Sequence, residues 1–128
     1  MGFFDKLFAN NTLKDEGGVP WKPLLNTAQL EGIMEASKSK TQVIFKHSTR
    51  CGISSMVLRQ FERAFDDSLQ LDMYFLDLLQ NRDVSNVVSE VFKVYHESPQ
   101  LLIIKNGEVI EHASHGQINQ VDLASYQV

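Results

Sequence analysis

The sequence has few of the residues that mark several common protein classes. Its 128 residues include one cysteine, Cys51, so no disulfide can form within the chain and a reducing compartment is expected. It has no basic block of the kind that follows a phosphate backbone. Twelve Lys and Arg stand against 16 Asp and Glu, a net charge of −4, and no nucleic-acid partner is expected. Purely apolar runs such as Leu101 to Ile104 are about four residues long, against the roughly 20 that a membrane span needs, so no transmembrane segment is expected. Asp5 and Lys6 stand where an export signal would be apolar, and Lys6 occupies the position where a myristoylation signal has Ser or Thr. A cytoplasmic protein is expected. What is present is ordinary: 43% hydrophobic and 22% charged residues, enough for one packed domain and too short for two.

The chain divides into an N-terminal extension and linker, residues 1–26, and a domain, residues 27–128. In the extension Phe3, Phe4, Leu7 and Phe8 are expected to form the apolar side of a short helix, which would pack on its own domain or contact a partner or a membrane surface. Asn26 or Thr27 can cap a helix running to about Ser37, with Leu30, Ile33 and Met34 on one face. Val43-Ile44-Phe45 reads as a buried strand, and Cys51 to Phe65 as a helix with Ile53, Val57, Phe61, Ala64 and Phe65 on one face. A second buried strand follows at Leu71 to Leu76, which makes a βαβ unit with parallel strands.

Asp83 or Ser85 opens the most regular helix. Val84, Val87, Val88, Val91, Phe92 and Tyr95 recur at helical spacing. After Ser98-Pro99 come a strand, Leu101 to Lys105, the turn Asn106-Gly107 and an antiparallel return, Glu108 to Ala113. A short helix, Asn119 to Tyr126, closes the chain. The expectation is an α/β fold with a mixed four-stranded sheet flanked by helices. Its element order is that of thioredoxin-like proteins.

Two features point to chemistry. Cys51 follows a buried strand by a short loop and stands at the start of a helix, where free amides and the dipole favour a thiolate. Arg50, and Lys46 further off, add positive charge, and Gly52 leaves room for another chain's backbone. Ser54 stands where a Cys-x-x-Cys protein has its second cysteine and can donate a hydrogen bond to the thiolate. His47 can hold the loop or move a proton. Against this, a lone cysteine is commonly a buried small hydrophobe. The second feature is Pro99, which directly precedes a buried strand. No Cys or His spacing matches a zinc site. His112 and His115 are three apart across a strand end, so no metal is expected.

The segment Phe45-Lys46-His47-Ser48-Thr49-Arg50-Cys51-Gly52-Ile53-Ser54 resembles the active-site stretch of the monothiol bacilliredoxins of the YtxJ type, a bacterial thioredoxin-like family tied to bacillithiol. The likeness extends from about Trp21 through Pro99 to Gly107-Glu108-Val109. Gly52 stands where the family often has proline, which gives a partial likeness to the Cys-Gly-Phe-Ser motif of monothiol glutaredoxins.

The resemblance implies a thiol-disulfide oxidoreductase. Cys51 would remove a small thiol, bacillithiol by likeness, from S-thiolated client proteins, with no tightly bound cofactor. It also implies a cis peptide before Pro99, with the backbone of Ser98 aligning the client. Two rival readings are a thioredoxin-fold adaptor or stress protein with a silent cysteine, and a glutaredoxin-like iron–sulfur carrier.

Overall fold

A computed structural model describes residues 19–50 and 52–127. The Phe-rich helix expected near the N-terminus and Cys51 itself lie outside the described residues. The elements in order are β1 (Lys22–Pro23), α1 (Ala28–Ala36), β2 (Thr41–His47), α2 (Gly52–Ala64), β3 (Leu71–Asp77), α3 (Arg82–Phe92), β4 (Gln100–Lys105) and β5 (Glu108–Ser114). Two short 3₁₀ turns follow, His115–Gln120 and Leu123–Tyr126.

The mixed sheet has five strands in the order β1-β3-β2-β4-β5, one more than the pattern predicts. β3 pairs in parallel with both β1 and β2, while β4 runs antiparallel to β2 and to β5. The additional strand is two residues long, too short to show a period, and Pro23 within it argues against a strand by composition. It is an edge strand, where proline is tolerated. Val19 and Leu24 are buried and Trp21 packs against Phe45, Phe61 and Phe75, so residues 19–26, expected in the extension, pack with the domain.

The two sheet faces carry separate cores. Val43, Phe45, Met73, Leu101 and Ile103 face α2 and the 3₁₀ turns, where Val57, Phe61, Ile118 and Leu123 meet them. Ile44, Leu76, Leu102 and Ile104 face α1 and α3, through Leu30, Ile33, Val84, Val88 and Phe92. β2 is central and covered on both sides, so every one of its residues is buried.

Several expected boundaries move. Thr27 stands at the N-cap of α1 without a side-chain cap bond, and Asn26 Oδ1 instead accepts the Gln29 N–H at 3.1 Å. α3 stops at Phe92, because Lys93 turns into the left-handed region at φ 57°, and Tyr95 lies beyond the helix and 91% exposed. On α2, Val57 and Phe61 are buried, while Ile53 is 52% exposed. The closing helix is replaced by the 3₁₀ turns. The hairpin turn is as expected, with Asn106 at φ 55° and Gly107 at φ 78°, both positive as a type I′ turn requires.

Candidate functional site

Side chains alternate across a strand, so consecutive residues at the end of β2 serve different faces. His47 follows Phe45 onto the α2 face, and its ring centroid lies 5.4 Å from that of Phe75. The chain then turns through Ser48 and enters α2 at Gly52. Ser54, in the first turn of the helix, is fully buried and meets His47: its Oγ lies 2.9 Å from Nδ1. The same Oγ accepts the Ser48 N–H at 3.2 Å. Ser48 Oγ in turn accepts the Arg50 N–H at 3.3 Å, which closes the loop on itself. A buried serine and a buried histidine thus fix the strand-to-helix turn that contains Cys51 in sequence. Burial holds the His47 pKa below its ordinary value, against the opposing pull of the Asp77 and Glu62 carboxylates.

Arg50 and Gly52 are exposed. Among the described residues a Cβ added at Gly52 would meet nothing within 4 Å, so their packing does not require glycine there. Ile53 and Met56, 52% and 48% exposed, place apolar surface on the same first turns of α2.

Lys46 departs from its expected place among the thiolate-stabilising residues. It goes to the opposite face with Ile44, is wholly buried, and its Nζ lies 3.2 Å from Ser89 Oγ and 3.3 Å from His96 Nδ1. Burial lowers its pKa from the ordinary 10.5 to about 8. The reason is strand alternation: Lys46 and His47 cannot both face α2. Ser85, whose Oγ is 3.3 Å from His96 Nδ1, completes this second polar cluster.

Ser98 and Pro99 precede β4. Lys46 pairs with Gln100 in the antiparallel register, so Ser98-Pro99 lies at the same end of the sheet as His47 and Ser48. The Ser98–Pro99 peptide is cis. The Pro99 carbonyl accepts the His115 N–H at 3.0 Å, and the buried Ser98 Oγ has no partner among the described residues. Sequence reasoning missed Glu62, Asp77, Ser85, Ser89, His96 and Gln100 as neighbours of the polar β2 end. A lysine directly after the apolar run Val43-Ile44-Phe45 was the available signal for the second cluster.

The model of the family described as monothiol bacilliredoxin BrxC matches residues 22–123. The chain belongs to this family. A solved protein with a thioredoxin fold and a proposed oxidoreductase role is 33% identical, with 83% of this chain and 92% of that one covered and a TM-score of 0.71. Two thioredoxins share the fold at lower identity. The reduced pre-protein of Schistosoma mansoni thioredoxin is 19% identical over 84% of this chain and 98% of its own, TM-score 0.67. Fasciola hepatica thioredoxin is 19% identical over 74% and 86%, TM-score 0.59. The bacilliredoxin match covers both sheet faces and the His47–Ser54 turn, and it carries a thiol redox role. Among the described residues no helix is long and apolar enough to cross a membrane.

Proposed function

We propose that the chain removes a low-molecular-weight thiol from protein mixed disulfides through Cys51. The Cys51 thiolate attacks the small-thiol sulfur of a protein–S–S–R disulfide. The protein thiolate leaves, and Cys51 keeps R as Cys51–S–S–R. A second small thiolate, R–S⁻, then attacks that sulfur of the small thiol, freeing the Cys51 thiolate and releasing R–S–S–R. With one cysteine in the chain no internal disulfide can form, so the small thiol is a co-substrate and no resident cofactor is needed. Bacillithiol is the thiol this reading favours, and the cytoplasm is where S-thiolated clients and a thiol pool meet.

The observation that supports this reading best is the turn itself. The single cysteine immediately precedes α2 in sequence, within a loop held by Ser48, Ser54 and His47, in a chain of the bacilliredoxin family. A helix N-terminus and Arg50 both favour a thiolate there. Ser98 supplies backbone at the same sheet end for an extended client segment to pair with, and Gly52 leaves its approach open. The apolar Phe-rich segment before residue 19 is the proposed partner contact.

The test is the intact mass of the reduced protein after exposure to bacillithiol disulfide and, separately, to glutathione disulfide. One adduct of bacillithiol mass, absent from Cys51→Ser, is expected. No adduct from either disulfide would leave the adaptor reading in its place, and absorbance of anaerobically purified protein in the visible range would favour the iron–sulfur reading.

A further inference from the structure

The chain leaves α3 at Lys93, and the Val94 N–H still donates to the Ser89 carbonyl at 3.3 Å. From Tyr95 to Ser98 the backbone makes no hydrogen bond to other backbone among the described residues, and pairing resumes only with β4 at Gln100. Tyr95, His96 and Glu97 are exposed. Such a stretch has little of its own to keep it in one place. Two side chains hold it from the sheet. Lys46 and Gln100 are partners across β2 and β4, and both are buried. Gln100 Nε2 donates to the Tyr95 carbonyl at 2.8 Å, and Lys46 Nζ lies 3.3 Å from His96 Nδ1. Gln100 Oε1 has no partner among the described residues, so the bond to Tyr95 is what orients this amide. The two tethers differ in kind. An amide does not titrate, whereas the contact with His96 needs a bare Nδ1 to accept from the ammonium.

We propose that Lys46 and Gln100 are positioning residues that fix the Tyr95–Ser98 segment for an extended partner, and that protonation of His96 releases the Lys46 tether. The partner half rests on Ser98 supplying backbone to a client, as proposed above. A proton on Nδ1 turns the acceptor into a donor that faces an ammonium, and the exposed ring has water to turn into. Outside it lies an open cavity of about 310 Å³, lined by Ser89, Glu90, Lys93, Val94, Tyr95 and His96. Burial, then Lys46 on β2 and Arg82 at the start of α3, oppose the imidazolium, while Glu97 beside it favours it. Ser85 and Ser89 of α3 and Gln100 of β4 are neutral, and Glu90 and Lys93 bring opposite charges to the cavity.

The experiment measures ¹⁵N order parameters of the Tyr95, His96, Glu97 and Ser98 amides in the full chain. It compares pH 7.5 with the acid pH at which the ring ¹⁵N shifts report His96 protonated. Wild type should show values of about 0.85 at pH 7.5, as rigid backbone does, and a fall toward about 0.6 in acid. His96→Asn offers Lys46 an acceptor that does not titrate, so its segment should stay ordered at both. Gln100→Leu should lower the values at pH 7.5 and further in acid. Lys46→Met should lower them at both, although removing the buried charge stabilises the domain as a whole. A merely structural lysine would not give that combination. A wild-type segment equally ordered before and after His96 protonation, or an ordered segment in Lys46→Met, would overturn the tether.

The partner half is read from KM for a short cysteine peptide carrying bacillithiol as a mixed disulfide. Between the same two pH values the wild-type KM should rise severalfold, and that of His96→Asn should not. The mixed disulfide of bacillithiol with 2-mercaptoethanol has no backbone to pair, so its KM should be the same in both proteins at each pH. A peptide KM indifferent to the state of His96 would overturn the positioning of a partner. No exchange with either disulfide at pH 7.5 would remove the proposed function and the partner half together, and the order parameters would still decide the tether.

Discussion

Lys46 Nζ lies 3.3 Å from His96 Nδ1, which places a lysine at the end of the central strand against the segment that leads into Ser98-Pro99. The contact works with a neutral imidazole, whose bare Nδ1 accepts from the ammonium. Burial and the nearby Lys46 charge both hold the His96 pKa below its ordinary value. Protonating His96 would set two cations against each other beneath this segment.

The first prediction concerns alkaline stability. The Lys46 pKa of about 8 in the folded chain lies below its ordinary 10.5. Between these values the unfolded chain holds a proton that the folded chain has released, so stability rises with pH across that window. Lys46→Met should flatten this rise and stabilise the protein at pH 7 by about 1–3 kcal/mol, because a methionine there needs no buried charge. Urea unfolding of both proteins at pH 7 and 9.5 checks it. An unchanged difference between the two pH values in the variant would refute it.

The second concerns acid. His47 and His96 both have folded pKa values below 6.5, with burial as the first cause. As pH falls below 6.5 the unfolded histidines take up protons that the folded ones refuse, so stability is lost from there downward, until the folded values are reached. The melting temperature should decline between pH 7 and 5, and His96→Asn should lessen the slope. A melting temperature flat over that range in wild type would show that neither group is held neutral.

The third separates the fold from the partner. Among the described residues a Cβ at Gly52 meets nothing within 4 Å. Gly52→Ala should therefore leave stability unchanged or raise it by up to about 1 kcal/mol. It should slow exchange with a protein mixed disulfide more than with a small symmetrical disulfide, because only the former brings a second backbone close. Equal slowing of both reactions would take the role of partner access away from Gly52.

The fourth tests the N-terminal edge. Trp21 stacks on Phe61 at 5.9 Å and donates its indole N–H to Glu62 at 2.7 Å. Trp21→Ala should cost about 3 kcal/mol in denaturant unfolding, as large aromatic deletions do. A chain beginning at Thr27 should lose more, since it also lacks β1 and the buried Leu24. Wild-type stability in the shortened chain would return residues 19–26 to the status of a linker.

The α/β class, the strand–helix alternation and the β4–β5 hairpin were legible in the sequence because long elements with buried faces impose a period. β1 was not, because two exposed residues show no period and its pairing with β3 is set by tertiary structure. The end of α3 was misplaced for a related reason. Tyr95 continues the apolar spacing, yet the chain leaves the helix at Lys93, which no local residue type announces. At the site, Ser54 stood out by its place three residues after Cys51, whereas its contacts with His47 Nδ1 and the Ser48 N–H join β2 to α2 and have no local signal. The split between Lys46 and His47 needed only the alternation of β2, but charge proximity in sequence obscured it. The cluster of Lys46 with Ser85, Ser89 and His96 joins β2 to an α3 face and a loop; Lys46 after an apolar run marks its β2 side, and nothing local marks its partners.

The tip of the β4–β5 hairpin looks like the natural place to graft a label, but it is tied to the end of α1. Asn106 N–H donates to the Ser37 carbonyl at 2.9 Å, and Gly107 N–H to Ser37 Oγ at 2.8 Å. An insertion there would pull on the helix that seals one face of the sheet. The Asp66–Ser68 turn makes its own hydrogen bonds locally, from Ser68 N–H and Oγ to Asp66 Oδ1 at 2.9 and 2.7 Å, and is exposed. A fluorophore or affinity tag placed at that turn would report on the domain without loosening it.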